Sequence, residues 1–394
     1  MIRKSLYDLG VEPSKIRELF AYGLARKEKI GEDKVFDFSI GNPSVPAPKE
    51  VKDTIINLLE TDPVVLHTYS PASGFPTTKE AIAQSIRDNY DFPATADQVY
   101  MTAGAAGGLA ISIGAITNPG DEVIVISPYF PEYKTWIDHA ECSIVEVPAA
   151  VPSFTLDIDA LDKAINAKTS AVIINSPNNP VGSVYTRKNL EDFAELLRRK
   201  ERELNREIYL ISDEPYRLIS YGAEVPWVPS LYDRTIVCYS YSKALSLPGE
   251  RIGWVYVSDA MENAQDVMFA VAGAGRAYGY VCAPVLLQRV IEQCVNLPSD
   301  VEAYRRNRDL LTSNLSDIGY QFVEPEGAFY LWVKALEDDA EAFSDRAKDY
   351  ELLLVPSNSF GTTGWVRISY CVSEKTIKDA IPAFRALYES YVMS

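Results

Sequence analysis

The stretches "SAVIINSP" (170–177), "RKNLEDFAELLRRKEREL" (187–204) and "EIYLISDE" (207–214) follow one another in the middle of the chain. The two outer stretches are apolar almost throughout, which is typical of strands that are buried on both faces. In the central stretch the apolar residues recur every three or four positions and form one helical face. A unit of this kind predicts two parallel strands with the helix packed on the sheet.

Similar apolar stretches lie on both sides of this unit. They are "DEVIVISP" (121–128), "CSIVEVPA" (142–149), "TIVCYS" (235–240) and "GWVYVS" (253–258). Apolar strands that alternate with helices are typical of parallel sheets covered on both faces. We therefore predict an α/β fold with a largely parallel sheet.

The pattern changes near residue 290. A predicted helix, "VEAYRRNRDLLTSNL", is followed by three short apolar stretches and by a last helix after Ser373. The three stretches are "GAFYLWVKA" (327–335), "ELLLVPS" (351–357) and "WVRISYC" (365–371). We predict a large domain over residues 46–289 and a smaller α+β domain over residues 290–394, which the N-terminal segment 1–45 joins.

The composition argues against several classes of function. The chain has 394 residues and a formal net charge of −17, so it lacks the basic surface that a nucleic-acid partner requires. No apolar run resembles a signal peptide or a membrane span. Five scattered cysteines without a CxxC pair suit reduced thiols in a cytoplasm. With only two histidines, a histidine-rich metal site or a Ser-His-Asp relay is disfavoured, and a lysine is the expected proton-moving group.

Four loops carry the candidate site, because sheets of this class bind ligands at the carboxyl ends of their strands. In "TAGAAGGL" (102–109), the small residues Gly104, Ala105 and Ala106 precede a predicted helix. They would let backbone N–H groups at the start of that helix approach an anion closely. The alternative is a plain strand-to-helix turn.

Two more loops follow strands of the central unit. Asn179 in "INSPNNPVG" could donate a hydrogen bond to a ligand oxygen, or the loop could be only a turn. Asp213 in "ISDEPYR" ends a buried strand, where a carboxylate costs free energy unless a cation lies nearby. For this loop the alternatives are a helix cap or an internal ion pair.

The fourth loop, "YSYSKALSLPGER", brings Ser240, Ser242, Lys243 and Arg251 close together. Hydroxyls and an arginine suit a phosphate, and a lysine that loses its proton can attack a carbonyl. A small molecule with both groups would explain the loop better than a solvated surface lysine does. Further along, Arg367 interrupts an apolar strand, which predicts either an anionic ligand or an internal salt bridge.

Together these motifs resemble the class I/II aminotransferase family of fold-type I pyridoxal-phosphate enzymes, from about Phe38 to the end of the chain. The matching motifs are "SIGNPS", "YSPASGFPTTKEAI", "NSPNNPVG", "SDEPYR", "SYSKALSLPGERIGW", "GAFYLWV" and "VRIS". The sequence departs from the family pattern at Thr78-Lys79, where Leu-Arg is common, and at Val181, which replaces a threonine. The resemblance implies a mostly parallel sheet of the seven-stranded type in the large domain.

The resemblance also implies pyridoxal 5'-phosphate as the cofactor and a role for each loop. Lys243 would form the Schiff base with the cofactor aldehyde, and Asp213 would lie against the pyridine nitrogen. Asn179 and Tyr216 would hydrogen-bond the phenolic oxygen of the ring. The remaining cofactor contacts would be Gly104, Ala105, Ala106, Ser240 and Arg251 at the phosphate, and Phe130, or the adjacent Tyr129, at the ring face.

Substrate recognition and assembly follow from the same resemblance. Arg367 would clamp the substrate α-carboxylate, with help from the backbone N–H of Gly41. Tyr69 would reach the phosphate of the neighbouring subunit, which implies a homodimer with shared sites. A dicarboxylic substrate would need a second cation, for which Arg276 is a candidate; the alternative is a surface arginine beside a flexible loop.

The implied activity is transfer of an amino group from an L-amino acid to a 2-oxo acid by a ping-pong mechanism, with Lys243 as general base. One alternative is a lyase on the same scaffold, of the C–S or cyclopropane-forming kind, because such enzymes share nearly all of this machinery. Another is a cofactor-binding regulator without catalytic activity. A regulator would need an added DNA-binding module and a basic surface.

Overall fold

The computed structural model describes residues 2–11 and 13–392. Its strands are β1 (Phe36–Asp37), β2 (Val99–Thr102), β3 (Glu122–Ser127), β4 (Ser143–Pro148), β5 (Thr169–Asn175), β6 (Tyr209–Asp213), β7 (Thr235–Ser240), β8 (Gly253–Val257), β9 (Phe322–Val323), β10 (Tyr330–Lys334), β11 (Leu352–Leu353), β12 (Val355–Pro356) and β13 (Trp365–Ser369). Its α-helices are α1 (Lys4–Val11), α2 (Lys15–Ile30), α3 (Lys49–Leu59), α4 (Pro63–Leu66), α5 (Pro76–Tyr90), α6 (Gly104–Ile116), α7 (Glu132–His139), α8 (Ile158–Ala164), α9 (Arg187–Leu204), α10 (Tyr241–Ala244), α11 (Ala264–Ala277), α12 (Val285–Cys294), α13 (Val301–Ile318), α14 (Ala340–Ala347) and α15 (Glu374–Val392).

The large sheet has seven strands in the order β2-β8-β7-β6-β5-β3-β4, and every neighbouring pair that does not include β8 is parallel. Helices cover both faces, as the alternation along β3 shows. Val123 and Val125 pack in one cluster with α6 and α11, while Ile124 and Ile126 pack in another with α8 and α9. The predicted α/β fold with a mostly parallel sheet is confirmed.

One antiparallel strand matters for the site. Because β8 runs against its neighbours, it begins at the edge where β2 and β7 end. Gly253 at its start pairs with Ser240 on one side and with Thr102 on the other. The segment before β8, which contains Arg251, therefore lies beside the start of α6 and the end of β7. The apolar pattern of "GWVYVS" predicted the strand but not its direction.

The smaller unit contains an antiparallel sheet in the order β12-β13-β10-β9. Helices α13, α14 and α15 cover it through an apolar cluster that includes Leu311, Phe343 and Phe384. The N-terminal segment contacts this unit: β1 pairs with β11, and Leu19 of α2 lies in one cluster with Trp332. The same cluster also includes Phe154 and Val181 of the large unit.

Two details differ from the sequence-based expectations. The single apolar stretch "ELLLVPS" contains two strands, because the chain changes partner at Leu354: β11 pairs with β1, and β12 pairs with β13. The expected boundary at residue 290 falls within α12, whose Val290, Ile291 and Cys294 pack with α5 against the large sheet. On packing grounds we propose a domain boundary after Cys294.

In the parts of the chain described here, none of the helices combines the length and the apolar character that crossing a membrane would require. The five cysteines are free thiols.

Candidate active site

A cavity of about 270 Å³ lies between the carboxyl edge of the large sheet and the small unit. It is lined by residues from both units and from the N-terminal segment. They are Ile16, Ile40, Gly41, Ala105, Ala106, Leu109, Phe130, Trp136, Asn179, Asp213, Pro215, Tyr216, Ser240, Ser242, Lys243, Pro248, Arg251, Tyr330 and Arg367. The structure thus brings together eleven predicted site residues: Gly41, Ala105, Ala106, Phe130, Asn179, Asp213, Tyr216, Ser240, Lys243, Arg251 and Arg367.

Lys243 lies in the short helix α10, directly after β7. Its Nζ donates a hydrogen bond of 2.6 Å to the backbone oxygen of Gly41. Burial of the amine is the main cause that lowers the Lys243 pKa, to about 8, and the positive charges of Arg367 and Arg251 act in the same direction. The side chain is therefore not a solvated surface lysine, and its neutral, nucleophilic form is accessible near neutral pH.

The predicted anion site is a close-packed turn. The Ser240 hydroxyl caps α10 by accepting from the Ser242 N–H at 3.0 Å and donates to the Ser242 hydroxyl at 2.6 Å. Helix α6 begins at Gly104 itself, with φ at +80°, and a Cβ there would lie 2.6 Å from the Arg251 guanidinium. A helix start, two hydroxyls and an arginine at the cavity mouth form a site with donors suited to a phosphate.

Asp213 ends β6 and is held in place by hydrogen bonds to one carboxylate oxygen and to its backbone oxygen. The Tyr133 hydroxyl donates to Oδ2 at 2.5 Å, and the Asn175 amide donates to the Asp213 backbone oxygen at 2.8 Å. Oδ1 is buried and has no hydrogen-bond partner within the described part of the chain. Burial raises the Asp213 pKa to about 7, the Tyr133 hydrogen bond opposes that rise, and the charge of Glu214 adds to it.

The adjacent acid has a different role. Glu214 is buried and pairs with Arg217, and it also accepts a 2.7 Å hydrogen bond from the Ser212 hydroxyl. The ion-pair alternative for this loop therefore applies to Glu214. Asp213 keeps one carboxylate oxygen available to a ligand.

Asn179, Tyr216 and Phe130 occupy other walls of the cavity. Asn179 Oδ1 accepts from Arg367, so its amide Nδ2 is the group left to donate to a ligand. The Tyr216 hydroxyl lies 2.8 Å from the Tyr330 hydroxyl. Phe130 lines the cavity, whereas the adjacent Tyr129 points away and donates to Glu146 at 2.7 Å, which favours Phe130 over Tyr129 as the ring-facing residue.

Arg367 is buried in the middle of β13. It donates to Asn179 Oδ1 at 2.9 Å and to the Ser39 backbone oxygen at 2.5 Å, and its guanidinium lies 4.5 Å from the centre of the Tyr330 ring. Among the described residues it has no carboxylate partner within ion-pair distance, and its Nε is buried without a hydrogen bond. The internal salt bridge considered from the sequence is thus wrong. Burial lowers the Arg367 pKa, and a buried cation without an anion is suited to bind one from outside.

The family model for aminotransferase class I and II matches residues 33–384. The chain belongs to this family. An aminotransferase from Eubacterium rectale, known as a crystal structure, is 50% identical, with a TM-score of 0.97 over 100% of this chain and 99% of that one. The aspartate aminotransferase of Thermus thermophilus, solved with maleate, is 27% identical, with a TM-score of 0.88 over 98% and 99% of the two chains. The aspartate aminotransferase of Thermotoga maritima is 30% identical over 387 residues, or 97% of each chain.

Two predicted residues of this aminotransferase, Tyr69 and Arg276, lie away from the cavity. A third, Gly104, lies next to a residue that lines it. Tyr69 is 81% exposed, and Arg276 is exposed in the last turn of α11. Neither can complete the site of its own chain in this arrangement. Gly104 does not line the cavity but allows Arg251 to approach α6.

Several contributors to the site were not predicted, among them Tyr133, Tyr330 and Ile16. Tyr133 lies three residues after Phe130 in the quoted stretch "SPYFPEY", and Tyr330 lies in the motif "GAFYLWV". The position of a hydroxyl relative to Asp213 depends on how α7 packs on the sheet, so nothing in the sequence marked Tyr133 beyond its nearness to Phe130. Ile16 comes from α2, which no motif marked as part of the site.

Proposed function

We propose that this aminotransferase uses pyridoxal 5'-phosphate to transfer an amino group between an L-amino acid and a 2-oxo acid. The observation that carries the proposal is the buried, unpartnered Oδ1 of Asp213, which lies on the same cavity as the low-pKa amine of Lys243. An acceptor of this kind fits a protonated ring nitrogen. A neutral amine opposite fits an aldehyde, so the residues present suit this cofactor.

The fit extends to the rest of the cofactor. Ser240, Arg251 and the N–H groups at the start of α6 would hold the phosphate, while Phe130 would face the ring. Asn179 and Tyr216 would donate to the phenolic oxygen. When bound, the cofactor supplies a carbonyl carbon that bonds to an amino group and a ring that spreads the electrons left on Cα.

The residues of the chain then have defined tasks. Arg367, helped by Gly41, would bind the substrate α-carboxylate and fix the Cα–H bond relative to Lys243. In its neutral form, Lys243 Nζ takes the proton from Cα, and it later returns the proton on the product side. One amine thus serves as both base and acid. Asp213 would hold the proton on the ring nitrogen of the bound cofactor. Because the amino donor and the oxo acid use the same cavity in turn, the kinetics should be ping-pong.

We also propose a homodimer in which Tyr69 completes the site of the partner subunit. Tyr69 follows α4, whose Val64 and Val65 are 79% and 60% exposed, and Phe269 on α11 is 65% exposed. Apolar side chains exposed to this degree favour a covered surface. A cytoplasmic location stays a prediction that rests on the free thiols.

A panel of amino donors offered with 2-oxoglutarate or pyruvate tests the proposal. Transfer requires that the donor yields its 2-oxo acid only when an acceptor is present, and that double-reciprocal plots are parallel. Release of pyruvate and ammonia without an acceptor would instead support the lyase alternative. The named relatives above are aminotransferases, and no contact in the cavity favours the lyase.

A further inference from the structure

Gln288 is a fully buried amide in the first turns of α12, surrounded by the apolar residues of that helix. All of its hydrogen bonds leave the helix. Its Oε1 accepts from the Phe75 N–H at 2.9 Å, and its Nε2 donates to the Ser70 hydroxyl at 3.0 Å and to the Ala283 backbone oxygen at 2.9 Å. Both polar atoms of the amide are therefore satisfied by one loop and by the segment before α12.

The loop in question is 70–75, which directly follows Tyr69. It is held tightly on its other side as well, because the Met101 N–H donates to the Ser73 oxygen at 2.9 Å. Gly74 has φ at +107°, and a Cβ there would lie 2.2 Å from the Met101 side chain. The backbone on the C-terminal side of Tyr69 is thus fixed by contacts, while the Tyr69 ring itself extends into solvent.

An amide at the Gln288 position needs a reason beyond packing. Burying an amide costs free energy unless all of its polar atoms are bonded, and an apolar residue would suit the cluster of α12 and α5 without that requirement. The hydrogen bonds of the Gln288 side chain do not extend any helix. They instead fix the path of the loop after Tyr69 relative to the large sheet.

We propose that Gln288 is a positioning residue that holds Tyr69 in the orientation needed to complete the active site of the partner subunit. This inference rests on the proposed homodimer with Tyr69 acting across it. Gln288 does not line the cavity, and its effect passes through the loop 70–75.

The first test is cofactor affinity. Gln288→Met keeps the size of the side chain and removes all three hydrogen bonds. It should weaken pyridoxal-phosphate binding about tenfold or more, the effect of losing one charge-assisted hydrogen bond at the phosphate. Thr78→Val is the matched control, since Thr78 is equally buried and bonds the Gln288 backbone oxygen and Glu292 but not the loop. It should leave the affinity unchanged.

The second test distinguishes positioning from general damage. Gln288→Met subunits are mixed with Lys243→Ala subunits and allowed to exchange, and hybrid formation is followed by native mass spectrometry. In a hybrid, the intact Lys243 site lies in the Gln288→Met subunit and receives Tyr69 from a subunit with normal Gln288. Cofactor affinity and transamination at that site should recover. A Gln288→Met change that damages its own subunit would show no recovery, and that result would overturn the proposal.

Two further mixtures separate this inference from the proposed dimer. Tyr69→Phe mixed with Lys243→Ala should recover activity if Tyr69 acts across the interface; failure there refutes the shared site itself. Tyr69→Phe mixed with Gln288→Met should not recover, because both changes affect the same arm. If Gln288→Met does not fold, Ser70→Ala removes one of the three bonds without altering α12 and should behave in the same way. In mixtures with Lys243→Ala, recovery for Tyr69→Phe but not for Gln288→Met or Ser70→Ala would refute the role of Gln288 and leave the shared site intact.

Discussion

Replacing Tyr133 with phenylalanine removes the hydroxyl that donates to Asp213 Oδ2 at 2.5 Å and leaves the ring in place. That hydrogen bond favours the ionised carboxylate, whereas burial favours the neutral acid. Burial and the nearby Asp213 raise the pKa of Tyr133 well above its ordinary value, so the hydroxyl stays protonated and remains a donor at every accessible pH. Tyr133→Phe should therefore raise the Asp213 pKa.

The size of the change follows from the strength of the bond. A hydrogen bond to an ionised carboxylate contributes about 1.5–3 kcal/mol, and one pKa unit corresponds to about 1.4 kcal/mol. The Asp213 pKa should thus rise by about one to two units from its value of about 7 in the free chain. A bound cation next to Oδ1 would lower the pKa in both proteins, and the difference between them would persist.

The measurement is kcat/KM for transamination as a function of pH. Activity falls as Asp213 becomes protonated, so the acid limb of the Tyr133→Phe profile should lie about one to two pH units higher, with similar rates in the alkaline range. Tyr129→Phe is the matched control: its ring stacks on Tyr133 at 6.4 Å, but its hydroxyl bonds Glu146. Acid limbs that coincide in the two variants, or a shift to lower pH for Tyr133→Phe, would refute the reasoning.

Three other changes have defined outcomes. Asp213→Asn should raise the melting temperature of the cofactor-free protein at pH 8. Because the folded state raises the Asp213 pKa, ionisation of this carboxyl lowers the free energy of unfolding. The loss is absent below the unfolded-state pKa of about 3.8 and is complete at pH values above the folded-state pKa of about 7. In the same variant, kcat should fall by the factor that corresponds to about 2–4 kcal/mol of activation free energy. Near-normal turnover would mean that another residue faces the ring nitrogen. Borohydride reduction and peptide mapping should attach the cofactor to Lys243, while Lys243→Ala should bind it without a covalent bond; a label on another lysine contradicts the assignment. Arg276→Ala should raise KM for dicarboxylic donors by the factor that corresponds to about 1.5–3 kcal/mol of binding free energy, and KM for alanine should barely change. Equal effects on all donors would show that Arg276 does not contribute to the pocket.

The parallel core was predictable because its signal is local. Strands β3, β5, β6 and β7 contain continuous apolar runs, and α9 carries a regular apolar face, so each of these elements could be predicted from a few neighbouring residues. The order of loops at the carboxyl edge then follows from the topology of parallel strands. Lys243 and Asp213 stood out for the same reason, as polar groups at the ends of buried strands.

Other features depend on contacts between distant segments. The antiparallel direction of β8 is set by its pairing with β2 and β7, and its own residues do not encode that direction. The missing carboxylate partner of Arg367 could not be foreseen, since a salt bridge and a ligand site look alike within one strand. The contact between the Tyr133 hydroxyl and Asp213 depends on how α7 packs, so the sequence alone could not predict it.

The pairing of β1 with β11 has a consequence for synthesis of the chain. Phe36 lies opposite Leu352 in the register and its N–H donates to the Glu351 backbone oxygen at 2.9 Å, so the first strand to leave the ribosome has its partner near the end of the polypeptide. The seven-stranded sheet is complete by Val257 and can form while translation continues, because domains generally fold as units from the N-terminal side. The opening segment, including the part of α2 that carries Ile16 to the cavity, can contact Phe154 and Val181 of the large unit early, but it lacks its partners in the small unit, such as Trp332 and Val355, until the last strands emerge. Arrest of translation shortly before residue 352 should therefore yield a nascent protein whose large unit resists protease while its N-terminal helix α2 is cleaved.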